Sequence, residues 1–168
     1  CYRWSTNVGP GYWPDADMLP LGHIGIRSVD GGASDRYTRF TQDEQITMMT
    51  LWTIFRSPLM FGGEMRDNDE FTLSLLTNEE VLKMHREGSG ARQVYRYQDR
   101  VVWQSNGADQ ELYVALFNIA DVAQTVSVDL DDIGIKSNQI KSLTDLWQKQ
   151  TMPLVNQEIK SHLRPHAC

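Results

Sequence analysis

The sequence predicts an α/β segment followed by an all-β antiparallel segment, and three patterns carry that expectation. Residues 9–22 set three prolines and three glycines around one short apolar run, which excludes a regular helix and leaves room for one short strand. Residues 41–87 hold two helix-start signatures, each followed by an apolar stretch. From Arg92 onward the apolar period becomes two. With 168 residues, 40% hydrophobic and 10% aromatic, the chain has material for one core or two small ones.

Composition closes off several functions. A net charge of −6 and an isoelectric point near 5.1 run against nucleic acid, which would require clustered Lys and Arg. The longest uncharged apolar run, Met48 to Phe55, is too short to span a membrane. Cys1 and Cys168 sit at the extreme ends and are read as free thiols, a disulfide between them being the alternative. The chain opens on Cys1 with no leader-like region, so it reads as a fragment or a processed product. No internal repeat or low-complexity tract occurs, and the composition does not encode a compartment.

Residues 1–8 are too short to assign, although Tyr2, Trp4 and Val8 suit the end of a packed helix. Pro14 favours extended backbone at Trp13, and Pro20 does so at Leu19. Ala16-Asp17-Met18-Leu19 is therefore the predicted strand, ended by Pro20. Extended backbone sends side chains i and i+2 the same way, so Asp15 and Asp17 are expected to reach into one space. Residues 22–40 read as a long charged loop, with Arg27 or Arg36 touching a substrate or a neighbouring subunit, or else a plain charged surface. His23 has no partner at ligand spacing, so no metal site is expected there.

Thr41-Gln42-Asp43-Glu44 fits a capping box, and the apolar run from Met48 predicts a helix enclosed on most sides and ending before Pro58. Pro58–Gly63 reads as a tight buried connection, because Gly62-Gly63 lacks the Lys-Ser/Thr of a phosphate loop. Asp69 to Leu76 predicts a short helix. Thr77-Asn78-Glu79-Glu80 is a second capping box, opening a helix to about Arg86. Gly88-Ser89-Gly90 marks a boundary. Beyond it, a hairpin is predicted around Gln98-Asp99-Arg100, then a strand over 112–118 that is apolar on both faces. Further strands are expected at 125–130, at 140–147 and at 159–163, the pattern of an antiparallel sandwich. Tyr95, Tyr97, Trp103 and Tyr113 fall on strands and are read as buried, which favours a structural role over a sugar platform.

Three functional classes fit the stretch that presents Trp13, Asp15, Asp17 and Met18. In a retaining glycosidase two carboxylates flank the scissile bond at roughly 5–5.5 Å, and side chains projecting from one side flank it poorly. Asp15 and Asp17 are thus expected to bind rather than to catalyse. A metal-dependent glycosyltransferase is the second class, since Asp15-Ala16-Asp17 has the form of a short cation-holding pattern, though three residues carry little information. A non-catalytic carbohydrate-binding or scaffold module over 92–168 is the third.

The runs GPGYWPDADMLPLG, RFTQDEQITMMTLW, RSPLMFGG, NDEFTLSLLTNEEVL and DLW resemble, in that order, the family 27 glycoside hydrolases. These are retaining α-galactosidases and α-N-acetylgalactosaminidases. The resemblance implies an α/β plus all-β fold, incomplete at both ends: the last βα unit of a (β/α)8 barrel at 1–88, then an antiparallel β-sandwich at 89–168. It implies that the strand at Leu19 is the eighth, with Asp17 at or near its carboxyl end, where such barrels carry their sites. The family's nucleophile lies in a Tyr-x-Lys-Tyr-Asp motif and its acid/base in a Trp-Arg-x-x-x-Asp motif. Neither occurs here, Tyr2-Arg3-Trp4 being the nearest approach, so no catalytic residue is expected in this chain. The aspartate and methionine matching Asp17 and Met18 lie in the family's sugar pocket. Asp15 and Trp13 are the further candidates for substrate contact. The substrate implied is a terminal α-galactoside or a close relative, with no cofactor or metal, and the partner implied is a missing upstream barrel segment. A single βα unit would also leave the strand at Leu19 without sheet neighbours.

Overall fold

The computed structural model describes residues 1–26 and 34–168. A 3-10 helix at Tyr2–Asn7 opens the chain and buries none of its residues, so the packed helix end expected there is absent. Two short strands, β1 (His23–Ile24) and β2 (Arg36–Tyr37), pair antiparallel. Helix α1 (Gln42–Phe55) begins at the predicted capping box: Glu44 N donates to Thr41 Oγ1, and Thr41 N donates to Glu44 Oε2. Helices α2 (Glu70–Leu76) and α3 (Glu79–Glu87) follow. The cap of α3 is Asn78 rather than Thr77, because the Thr77 hydroxyl donates back to Leu73 O and closes α2 instead.

The predicted strand at 16–19 is reduced to one paired residue. Leu19 N donates to Met60 O, and Gly62 N donates to Leu19 O, each at 2.8 Å, a parallel bridge between Leu19 and Phe61. The run over 58–63, read as a plain connection, is thus a second strand-like segment, and α1 is the crossover between two parallel segments. Leu19 keeps one sheet neighbour, where none was expected. Gly63 is small because the backbones converge: a Cβ there would lie 2.4 Å from Leu21 O.

Nine-residue β3 (Ser89–Tyr97) pairs antiparallel with β4 (Arg100–Asn106), which pairs with β5 (Leu112–Asn118). Strand β6 (Gln124–Asp129) pairs with β9 (Glu158–Leu163). A small hairpin of β7 (Thr144–Asp145) and β8 (Gln150–Thr151) replaces the strand expected over 140–147.

The β3–β4–β5 sheet is the middle layer of three, which explains why β4 and β5 are apolar on both faces. Alternation along β4 and β5 sends Val101, Trp103, Ala115 and Phe117 against Ile54 and Phe55 of α1 and Val81 and Met84 of α3. The intervening Val102 and Leu116 face Val126 and Val128 of β6 and Ile159 and Leu163 of β9. A third cluster, Leu19, Leu21, Met49 and Leu75, lies behind the parallel pair. Burying each such side chain contributes roughly 1.5–3 kcal/mol, so the helices and the sandwich share one stabilising interface. Polar contacts join it, with the Arg164 guanidinium donating two hydrogen bonds to the Asp43 carboxylate at 2.8 and 2.6 Å.

Candidate functional site

The stretch at 9–22 is built as a series of turns. Gly9 and Tyr12 exchange backbone hydrogen bonds around Pro10-Gly11, with Gly11 at φ +86, which is the position a type II turn reserves for glycine. Trp13 then lies beneath the Arg56 guanidinium, whose carbon is 4.1 Å from the ring centroid. Ala16 N donates to Ser57 Oγ at 2.9 Å, and the Trp52 indole N–H donates to Asp17 O at 2.8 Å.

Asp17 has φ +78, the left-handed region, so the backbone is not extended there and the i, i+2 expectation fails. The Asp15 carboxylate turns back on its own chain and accepts from Asp17 N at 2.7 Å. Asp17 Oδ1 in turn accepts from Met18 N at 2.6 Å. These local bonds are what let an aspartate occupy a conformation that costs most residues about 1–2 kcal/mol. Asp17 also precedes the paired Leu19 by two positions, rather than closing the strand at its carboxyl end. Asp15, Asp17, Trp13 and Met18 all lie at the surface, Met18 at 56% exposure. What the turn offers chemically is a braced carboxylate edge, a thioether and an indole face.

A second polar cluster lies beside β1. His23 contacts Asp67 through Nδ1 at 2.7 Å and Asp35 through Nε2, and its ring stacks on Tyr37 with centroids 4.9 Å apart. Hydrogen bonds that the ring donates to Asp35 and Asp67 raise the His23 pKa above its ordinary value. Sequence spacing gave no hint of this, because the partners are 12 and 44 residues away. Among the described residues no group of three or more His, Cys, Asp or Glu side chains could hold a metal ion. Arg36 donates to Tyr37 O, and Arg27 lies outside the described residues. Of the strand aromatics, Trp103 is buried and Tyr95 and Tyr113 are half-buried, whereas Tyr97 is exposed, against expectation. Cys1 and Cys168 are both free, and burial pushes the Cys168 thiol up to about 11.

The chain is similar to known proteins along nearly its whole length. Residues 3–87 match the family described as alpha galactosidase A, and residues 97–168 match the alpha galactosidase C-terminal beta sandwich domain. Alpha-galactosidase 2 of Arabidopsis thaliana is 27% identical over 99% of this chain and 39% of its own length. The alpha-galactosidase of Cyamopsis tetragonoloba is 29% identical over 96% of this chain and 36% of its own. The chain therefore spans less than two fifths of these relatives. A GH27 β-L-arabinopyranosidase from Geobacillus stearothermophilus is similar in structure, with a TM-score of 0.91 at 61% identity, over 99% of this chain and 38% of that one.

Proposed function

Because this chain belongs to glycoside hydrolase family 27, the α-galactosidase family, we propose that it forms part of the sugar pocket of such a hydrolase without supplying the catalytic carboxylates. Residues 1–88 act as the barrel end and 89–168 as the sandwich that holds it. The observation carrying this reading is the turn at 15–18: a surface carboxylate at φ +78, braced by Asp15, Trp52 and Ser57. Strain of this kind persists where the surroundings over-determine it, and such places cluster at ligand sites. Asp17 accepts hydrogen bonds from sugar hydroxyls through the oxygen not committed to Met18 N, and Met18 and Trp13 give apolar contact to the ring. Asp15 works mainly through Asp17.

The substrate is a terminal α-galactoside or its C5-unsubstituted counterpart. β-L-Arabinopyranose is α-D-galactopyranose without the hydroxymethyl group, so one set of hydroxyl contacts serves both. The 61% identity to a β-L-arabinopyranosidase favours the smaller sugar. Relative kcat/KM for the aryl α-galactoside and the aryl β-L-arabinopyranoside, measured on the hydrolase carrying this segment, decides between them.

Asp17→Asn is the informative variant, since the amide tolerates the left-handed backbone and retains an acceptor for Met18 N. In the complete hydrolase it should cost about 2–5 kcal/mol in transition-state binding, read from kcat/KM. Wild-type kinetics would remove Asp17 from the pocket.

A further inference from the structure

The last turn of α1 ends in an unusual way. Arg56 N donates to Thr53 O and Ser57 N donates to Trp52 O, the paired bonds of a Schellman cap, with Arg56 at φ +60, ψ +37 in the position glycine normally fills. A non-glycine residue there costs about 1 kcal/mol, and Arg has no local side-chain bond to offset it, unlike Asp17. Its side chain is used elsewhere. The guanidinium covers Trp13 and donates to Gly88 O at 2.7 Å and Arg86 O at 2.8 Å.

We propose that Arg56 is a positioning residue for the sugar-binding turn, fixing the Trp13 ring, and through it the Asp15–Met18 backbone, against the junction of α3 and β3. The proposal rests on the assignment of that turn to the sugar pocket. Three neighbours on one helix end grip the turn from behind: Trp52 at Asp17 O, Ser57 at Ala16 N, and Arg56 at Trp13. Ser57 is in turn held by His85, whose ring Nε2–H donates to Ser57 O at 2.8 Å. Burial lowers the His85 pKa, which favours the neutral ring. Both hydrogen-bond acceptors on Arg56 are carbonyls, and among the described residues no carboxylate pairs with it. Desolvation lowers its pKa, yet Arg remains charged at any physiological pH, so the contact with the indole face persists.

Arg56→Gly separates helix termination from side-chain function, because glycine relieves the left-handed strain while deleting the guanidinium. Two measurements are required. On this chain, amide and indole NMR signals of Trp13, Asp17, Met18 and the Trp52 Nε1–H should shift in Arg56→Gly, while α1 amides keep their positions. In the hydrolase carrying this segment, KM for the aryl glycoside should rise roughly 3- to 30-fold with little change in kcat, and Arg56→Lys should recover part of the loss by restoring a cation over the ring. Unmoved turn resonances overturn the proposal, as do shifted resonances with wild-type KM. If Asp17→Asn is impaired and Arg56→Gly is not, the positioning role fails and the pocket assignment stands. If both behave as wild type, the pocket assignment itself fails.

Discussion

At the scale of single residues, the informative positions are those that pay a conformational cost. Asp17 meets that cost with its own carboxylate and that of Asp15, so shortening the side chain removes binding and backbone support together. Asp17→Ala should therefore lose stability by about 1 kcal/mol relative to Asp17→Asn, measured as the difference in urea midpoint at constant m-value. Equal stability would mean that the turn is not strained. The identity of these residues was legible in the sequence, because two acids in a proline frame next to an indole is a local pattern. Their geometry was not: nothing local states that Asp17 is left-handed, since the bracing groups are distant, Trp52 lying 35 residues from Asp17 and Ser57 41 residues from Ala16. Arg56 was passed over for the same reason.

At the scale of elements, the caps and periodicities translated well. The α1 box at Thr41 falls where pattern reading puts it, β6 begins one residue early, and α3 is displaced only by the competing use of Thr77. The parallel pairing of Leu19 with Phe61 was missed because one bridge leaves no alternation to read. Its cause is steric and can be tested at Gly63, where a methyl group would meet Leu21 O and the Phe61 ring at 2.4 and 2.5 Å. Gly63→Ala should destabilise the chain by about 1–3 kcal/mol in denaturant unfolding, whereas a neutral effect would show that the two backbones can separate freely. The β1–β2 pair carries a pH dependence of definite sign. The His23 pKa is raised by Asp35 and Asp67, so the clamp is complete below the ordinary value of 6.5 and its contribution fades as pH rises through the folded value. Hydrogen exchange at Glu64 N, bonded to His23 O at 2.7 Å, should accelerate over that window beyond its intrinsic base catalysis. Asp67→Asn should shift the window downward. A His23 midpoint at or below 6.5 in an NMR titration would contradict the clamp.

At the scale of the whole molecule, the middle sheet joins what the change of period seemed to separate. Sequence pattern places a boundary near Gly88, and because one βα unit cannot close a barrel, residues 1–88 are expected to exchange amide hydrogens faster than 92–168 in the isolated chain. A shared cluster of Ile54, Phe55, Val81 and Met84 with Val101, Trp103, Ala115 and Phe117 also packs α1 and α3 against β4 and β5. Phe55→Ala should thus cost about 3–5 kcal/mol and lower the helical and Trp103 transitions together, while two separate transitions would restore independent units. Double-sided burial of 112–118 was visible in LYVALFN, but which layer covers which face is a property of tertiary packing alone. The account as a whole rests on a division of labour in which this segment contacts sugar and the catalytic carboxylates come from elsewhere. The most direct measurement is turnover of aryl α-galactoside and aryl β-L-arabinopyranoside by the pure 168-residue chain. The expected result is no hydrolysis of either, because double displacement needs a nucleophile and an acid/base that flank the bond. Turnover that disappears on changing Asp15 or Asp17 would contradict it and make the local pair catalytic.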